Sequence, residues 1–158
     1  MTDLLRTVEA ESSAVTRFVA LLKLEQAALS QGGVDDLVEF ANQKSAVANE
    51  LTLLANQRNT LLAAQGLDAD RAGIEAAIAG SIKRQPSDTA LSRLWSQIIL
   101  LASEAKELNR LNGELIQIRM QHNSQALEAM QGASRTLHLY GPDGQTTPLI
   151  SRRINDAA

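Results

Sequence analysis

The chain has 158 residues, a formal net charge of -3 and 44% hydrophobic residues, but only two phenylalanines, one tryptophan and one tyrosine. This length suits one domain with a real core, and so few aromatic residues favour an all-α fold over a β-sandwich. Basic residues alternate with acidic ones, which argues against a nucleic-acid-binding surface. Because there is no cysteine, a disulfide framework, a thiolate metal site and a cysteine nucleophile are excluded.

The start of the chain does not predict a signal peptide, since it has an early acid, Asp3, and no basic segment followed by a long apolar run. The longest apolar runs, such as residues 98–102, are too short to cross a bilayer. These patterns predict a cytoplasmic protein without an integral membrane segment.

Two heptad seams predict a long helical hairpin. From Thr2 to about Ser30, seam positions recur at steps of four and three residues, at Leu4, Val8, Glu11, Val15, Phe18, Leu22, Glu25 and Leu29. After a predicted helix end at Gly32 and Gly33, a second seam runs to Ala64, through Leu37, Phe40, Lys44, Val47, Leu51, Leu54, Arg58 and Leu61.

The seams contain two acids and two bases. Folding the two helices antiparallel about the glycines closes every apolar layer, and it places Glu25 one layer from Lys44 and Glu11 one layer from Arg58. These charges are interpreted as a device that sets the register of the hairpin. The alternative is that the long side chains only extend to the bundle surface, where ion pairs contribute little.

A shorter helix follows the hairpin. Gln65-Gly66 ends the second helix, Asp68 or Asp70 can cap a third one that runs to about Lys83, and Gln85-Pro86 closes it. We expect this helix to cap or cover part of the hairpin in an elongated antiparallel bundle.

The longest predicted helix begins at Ser87, a suitable N-cap, and runs to about Gly132. Its first half carries a seam for packing along another helix, made of Leu91, Leu94, Ile98, Leu101, Ala105 and Leu108. Trp95 is expected at the edge of the core. Asn109 and Asn112 could hydrogen-bond a neighbouring backbone or specify register, or be ordinary surface residues.

The second half of this helix has a stripe with no evident intramolecular partner. It consists of Leu115, Ile116, Met120, Leu127 and Met130. Exposed helix faces rich in methionine suit an amphipathic partner helix, so we interpret the stripe as a binding surface.

Composition changes beyond Gly132, where a turn at Gly141-Pro142-Asp143-Gly144 follows Leu137, Leu139 and Tyr140. Those three residues could form a short strand, but too few contacts accompany them to offset the entropy of ordering the chain. We therefore predict a helical bundle domain at residues 1–133 and a flexible tail at 134–158 that becomes ordered on a partner.

Nothing in the sequence indicates catalysis, a metal site or a cofactor. The two histidines, His122 and His138, stand in no ligand pattern, and the acids Glu104, Glu107 and Glu114 read as a solvated helix face. The residues thus indicate an interaction protein. A passive coiled-coil scaffold, or a homo-oligomer in which the stripe meets its own copy, is the alternative.

Three motifs in order give the chain a family resemblance. They are Glu25-x-x-x-Leu29 with Leu37, Lys44 and Arg58-x-x-Leu61-Leu62; then Asn109-x-x-Asn112-x-x-Leu115; then Leu139-Tyr140-Gly141-Pro142-Asp143-Gly144-Gln145. With this order, the chain resembles the FlgN family of flagellar export chaperones over nearly its whole length, although residues 73–86 match no motif.

The resemblance implies a cytoplasmic chaperone without enzymatic activity. Such a protein binds the C-terminal helical segments of the hook-filament junction proteins (FlgK and FlgL types) and delivers them to the flagellar type III export apparatus. The substrate-binding region of the family is C-terminal, which implies that here it comprises the stripe from Leu115 to Met130 and the tail through Tyr140.

Overall fold

The computed structural model describes the backbone of residues 2–139 and the side chains of residues 2–132. Over this range the fold is all-α, as predicted, with helices α1 (Thr2–Ser30), α2 (Leu37–Ala64), α3 (Arg71–Arg84) and α4 (Ala90–Leu139). The chain divides into two compact units, Met1–Gln117 and Ile118–Ala158, and residues of α4 belong to both. The domain boundary between 133 and 134 stays a prediction, and residues 140–158 of the predicted tail lie outside the described residues.

The hairpin turns where the glycines predicted it. Gly32 has a φ of 84°, its N–H donates to the carbonyl of Leu29 at 3.1 Å, and the N–H of Gly33 donates to the carbonyl of Ala28 at 3.0 Å. This paired pattern is a Schellman motif, which needs a left-handed residue that glycine adopts without steric cost. Gly66, with a φ of 73°, ends α2 in the same way, so both predicted helix ends are confirmed.

Helix α1 is the most deeply packed part of the hairpin. Seven of its eight seam positions are buried and Phe18 is half-buried, whereas all eight seam positions of α2 are half-buried. Three ion pairs, Arg17–Glu50, Glu25–Lys44 and Glu11–Arg58, join the helices at residue numbers that rise in one and fall in the other. The predicted antiparallel register is therefore present.

Helix α3 closes one end of the hairpin. Asp70 is its N-cap and accepts a hydrogen bond from the N–H of Gly73 at 3.0 Å, as one of the two predicted caps. Ile74 and Ala77 then join a hydrophobic cluster with Leu62 at the end of α2. Because Leu4, Val8, Leu91 and Trp95 belong to this same cluster, all four helices contribute to the core at this end.

Helix α4 begins later than predicted. Ser87 does not cap it; residues 87–89 precede the helix, and Ala90 is its first residue. The carboxylate of Asp88 accepts a hydrogen bond from the hydroxyl of Ser81 at 2.8 Å, and the Ser87 hydroxyl accepts one from the amide of Gln85 at 3.3 Å. These side chains hold the connection between α3 and α4, so the helix starts only after it.

The predicted end of α4 at Gly132 is wrong, since the helix continues to Leu139. A lone glycine weakens a helix by about 1 kcal/mol, but it stops one only when it takes the left-handed conformation. Among the described residues only Gly32 and Gly66 have a positive φ. Leu137 is consequently helical and not part of a strand.

The first half of α4 packs along α1 in the same direction. Leu91 and Trp95 cluster with Leu4 and Val8 near the start of α1, whereas Ala105 clusters with Val19 and Leu22 further along it. Helix α4 is consequently antiparallel to α2. Trp95 is 9% exposed, which confirms its predicted place at the edge of the core.

Candidate functional site

A buried polar network joins α1, α2 and the middle of α4; it consists of Glu25, Lys44 and Asn112. The Lys44 ammonium lies 3.0 Å from one carboxylate oxygen of Glu25, and the Asn112 amide donates to the other at 2.9 Å. The same amide donates to the carbonyl of Leu22 at 2.9 Å. Since Glu25 is 1% exposed and Asn112 is fully buried, these bonds form away from water and fix where α4 lies on the hairpin.

The second predicted charge pair lies near the other end of α1. Arg58 donates to a carboxylate oxygen of Glu11, and its guanidinium carbon is 5.0 Å from the centroid of the Trp95 ring. Both pairs predicted to be adjacent are therefore adjacent. Buried ion pairs contribute little net stability, and the contacts alone do not show what they select. That these charges select the register therefore remains a prediction.

The two asparagines of α4 occupy different environments although they lie one turn apart. Asn112 makes the kind of backbone bond that was predicted, whereas Asn109 is exposed. The spacing of the seam could have separated them, because a step of four residues from Leu108 reaches Asn112, whereas Asn109 lies beside the seam.

The predicted binding stripe divides at the boundary between the two units. Leu115 and Ile116 are half-buried in the first unit. In the second unit Met120, Leu127 and Met130 are 63%, 57% and 70% exposed, and these three residues are called the apolar stripe from here on. Their spacing of seven and three residues puts them on one side of the helix.

The predicted partner-binding residues at the end of the helix are only partly described. Leu137 and Leu139 belong to α4, which ends at Leu139. Tyr140 lies outside the described residues. Their role in binding stays a prediction.

Sequence reasoning missed a groove between α2 and α4 in the first unit. Its volume is about 260 Å³, and it is lined by Val15, Phe18, Leu51, Ala102, Ala105, Lys106 and Asn109. Most of these residues belong to the predicted seams and were assigned to helix packing. Of the seam residues, Phe18 and Leu51 are only half-buried here. α3 contributes no residue to the cluster at this level, and the heptad pattern does not specify where α3 lies.

The carboxylates of Glu104, Glu107 and Glu114 on α4 lie in ion pairs. Arg110 contacts Glu107 at 2.7 Å and Glu114 at 2.5 Å, and the hydrogen bond from Arg110 lowers the pKa of Glu107 below its ordinary value. Glu104 pairs with Lys23 of α1 at 2.8 Å. Within the described part of the chain, no group of three or more histidine, cysteine, aspartate or glutamate residues could hold a metal ion.

No helix within residues 2–139 is long and apolar enough to span a membrane. Three features stand out in the described residues. They are a buried polar network that fixes α4, the apolar stripe on α4 and the open groove between α2 and α4. The stripe and the groove are exposed apolar surfaces, which suit the binding of another protein segment.

Comparison with known proteins gives a consistent result. The family model described as FlgN protein matches residues 1–148. A protein of Proteus mirabilis named flagella synthesis protein FlgN is 28% identical over 156 residues, which cover 98% of each chain. Proteins of the same name from Yersinia enterocolitica and Escherichia coli K12 are 31% and 26% identical over 78% and 70% of this chain, and over 95% and 90% of their own. No solved structure matches significantly. The chain therefore belongs to the FlgN family.

Proposed function

We propose that this protein acts in flagellar assembly as a cytoplasmic export chaperone without enzymatic activity. It binds the C-terminal helical segments of the hook-filament junction proteins and delivers them to the flagellar type III export apparatus. Membership of the FlgN family supports this proposal, as do the names of the relatives, which describe them as flagella synthesis proteins.

The apolar stripe is the observation that carries the proposal. Met120, Leu127 and Met130 expose more than half of their surface on one side of a helix. Scattered exposed apolar residues are ordinary, but three of them aligned on one helix offer a matching surface to the apolar face of an amphipathic segment. Methionine is unbranched and polarizable, so two methionines in three allow the surface to adapt to more than one junction protein.

The size of the stripe suits a reversible complex. Fully burying three such side chains would contribute about 5 to 9 kcal/mol before costs, at about 1.5 to 3 kcal/mol each. Ordering a helical segment and losing its freedom of motion consumes much of this. The complex that remains is stable enough to cover a junction-protein segment and prevent its premature association. It is also weak enough to release the segment at the export apparatus.

Residues beyond the stripe enlarge the proposed surface. Leu137, Leu139 and Tyr140 add apolar groups at the end of α4 and just after it. Apolar contacts that these residues make on binding would add to the binding free energy that the stripe supplies.

Isothermal titration calorimetry with a C-terminal peptide of a junction protein tests the proposal. Leu127→Ser with Met130→Ser should weaken binding by more than about tenfold, because buried apolar anchors dominate such interfaces. The melting temperature should stay nearly unchanged, since both side chains are exposed. The matched control is Ile118→Ser, which removes an apolar side chain that is 48% exposed on the opposite side of α4 and should bind like the parent protein. Equal affinity of the double variant and the parent would contradict the proposed surface.

A further inference from the structure

The apolar stripe lies close to the end of the described chain. Helix α4 ends at Leu139, and the sequence continues through residues 140–158. At about 1.5 Å per residue, Met130 lies about 14 Å before that end and Met120 about 28 Å before it. Their side chains are 70% and 63% exposed. A following segment that turns back along the helix would therefore meet the stripe within a short distance.

The sequence after α4 contains a turn that can send the chain back. Gly141-Pro142-Asp143-Gly144 has proline at the second position and glycine at the fourth, which is typical of a type I turn. With as many residues after the turn as before it, the chain is level with Leu139 again at about residue 146. At about 3.3 Å per residue, residues 147–158 are about 40 Å long when extended, which is longer than the stripe.

The segment that follows the turn has one face that matches the stripe. Pro148 favours an extended backbone over a helix at this point, because it lacks an N–H and restricts the residue before it. Successive side chains of an extended chain point to opposite sides, so Ile150, Arg152 and Ile154 would share one face. That face carries two isoleucines on either side of an arginine.

The spacing of the two isoleucines agrees with the spacing of the stripe. Counted from the level of Leu139, Ile150 would lie about 13 Å back along α4 and Ile154 about 26 Å back. Met130 and Met120 are about 14 Å and 28 Å back on the same scale. Each isoleucine therefore falls opposite one methionine.

The charges give the same register. Glu128 is the single acid of residues 118–132, is exposed and forms no ion pair with another described residue. It lies about 17 Å back from the end of α4, and Arg152 would lie about 20 Å back. Because Glu128 directly follows Leu127 of the stripe, an arginine at this level would add an ion pair at the edge of the apolar contact.

We propose that residues 148–154 fold back onto the apolar stripe of the same chain. In this arrangement Ile150 and Ile154 cover the two methionines, and Arg152 pairs with Glu128. The segment is an internal competitor for the stripe. Its effect on the binding of a junction-protein segment rests on the proposed function, whereas the contact within the chain does not.

The cover is partial, so it lowers the affinity of the stripe for a partner without abolishing it. Burial of apolar side chains on both surfaces favours the contact, whereas fixing the backbone of a short extended segment opposes it. These contributions are similar in size, so covered and uncovered forms coexist. A partner helix, which brings more apolar area than two isoleucines, displaces the segment.

Paramagnetic relaxation in the full chain tests the contact without any partner. Because the chain has no cysteine, Ser151→Cys gives a single attachment site for a nitroxide label, on the face of the segment turned away from the stripe. The label should strongly broaden the methyl NMR signals of Met120 and Met130. Ile150→Ser with Ile154→Ser should recover most of the lost signal intensity, because the segment then leaves the helix.

Neighbouring residues on the opposite face of the segment provide matched controls. Leu149→Ser removes a similar apolar side chain, and Arg153→Glu makes the same charge reversal as Arg152→Glu, but neither control should change the broadening. Arg152→Glu alone should reduce the broadening, and its combination with Glu128→Arg should restore it. A mixed sample, in which only the chains without nitroxide carry isotope-labelled methionine, should show no broadening, because the contact lies within one chain.

Three results would overturn the proposal. One is equal broadening in the parent and in the variant that lacks both isoleucines, as a tail without a preferred contact would give. The second is an equal loss of broadening in the Leu149→Ser or Arg153→Glu control. The third is broadening in the mixed sample, which would assign the contact to a second copy.

Calorimetry with a junction-protein C-terminal peptide then measures the competition. If about two thirds of the chains are covered, Ile150→Ser with Ile154→Ser should bind the peptide about threefold more tightly than the parent. This effect is opposite in sign to that of Leu127→Ser with Met130→Ser. Unchanged affinity would overturn the competition. A peptide that binds neither the parent nor the variants would contradict the proposed function, while the NMR result still decides whether the segment contacts the stripe.

Discussion

Asn112→Ala should lower the free energy of unfolding of the first unit, because it removes one side chain that joins α4 to α1. Asn112→Ala deletes a hydrogen bond to the carbonyl of Leu22 and another to the carboxylate of Glu25, each 2.9 Å long. The neutral bond contributes about 1 kcal/mol and the bond to the charged group about 1.5 to 3 kcal/mol. Because the Asn112 carbonyl oxygen has no hydrogen-bond partner in the described chain, its removal returns part of this, and we expect a net loss of about 2 to 3 kcal/mol.

Thermal unfolding followed by far-ultraviolet circular dichroism measures this loss. For a protein of this size, each kcal/mol lowers the melting temperature by about 2 to 4 °C, so Asn112→Ala should melt about 4 to 12 °C below the parent. Asn109→Ala is the matched control, since Asn109 is an exposed asparagine one turn earlier. It should change the free energy of unfolding by less than about 0.5 kcal/mol. Equal effects of the two substitutions would refute the reasoning, because they would show that the network does not hold α4.

Two further predictions concern α3 and the surface of the hairpin. A Cβ atom at the buried Gly73 would lie 1.7 Å from the carbonyl oxygen of Asp68, so Gly73→Ala should strongly lower the urea concentration at the unfolding midpoint. Gly80→Ala is the control. A Cβ atom there would have nothing within 4 Å, so this substitution should raise the free energy of unfolding by up to about 1 kcal/mol. A smaller or opposite difference would mean that the Asp68 turn does not pack on α3. The hydrogen bond from Arg17 lowers the pKa of Glu50, so this pair supports the fold above the ordinary carboxyl pKa and loses its effect as pH falls through the lowered pKa. Arg17→Ala should raise the pKa of Glu50 towards its ordinary value in a carboxyl-carbon NMR titration, and an unchanged titration would show that the pair is not formed in solution.

The hairpin could be predicted from sequence because its signals are local and agree. Steps of four and three residues define both seams, and Gly32 and Gly66 supply the left-handed residues at their ends. Once the glycines fix the turn, the register follows, and with it the contacts Glu25–Lys44 and Glu11–Arg58.

The ends of α4 and the groove could not be predicted from the sequence pattern, because tertiary contacts determine them. Ser87 has the chemistry of an N-cap, but Asp88 is held by Ser81 of α3 and the helix begins later. Gly132 would end a helix only in the left-handed conformation, which its own sequence context does not impose. The groove follows from α3 being too short to cover both levels of the core, and helix placement of this kind is not encoded in periodicity.

Hydrogen exchange on the full chain tests the proposed chaperone function most directly. Adding a junction-protein C-terminal peptide should slow exchange of the amides from Met120 to Met130, because a docked segment excludes water from the stripe and holds this part of α4 helical. Exchange within α3 should stay the same, which provides an internal control. Slowed exchange confined to α1, α2 or α3, with the amides from Met120 to Met130 unaffected, would contradict the account and would assign binding to the first unit.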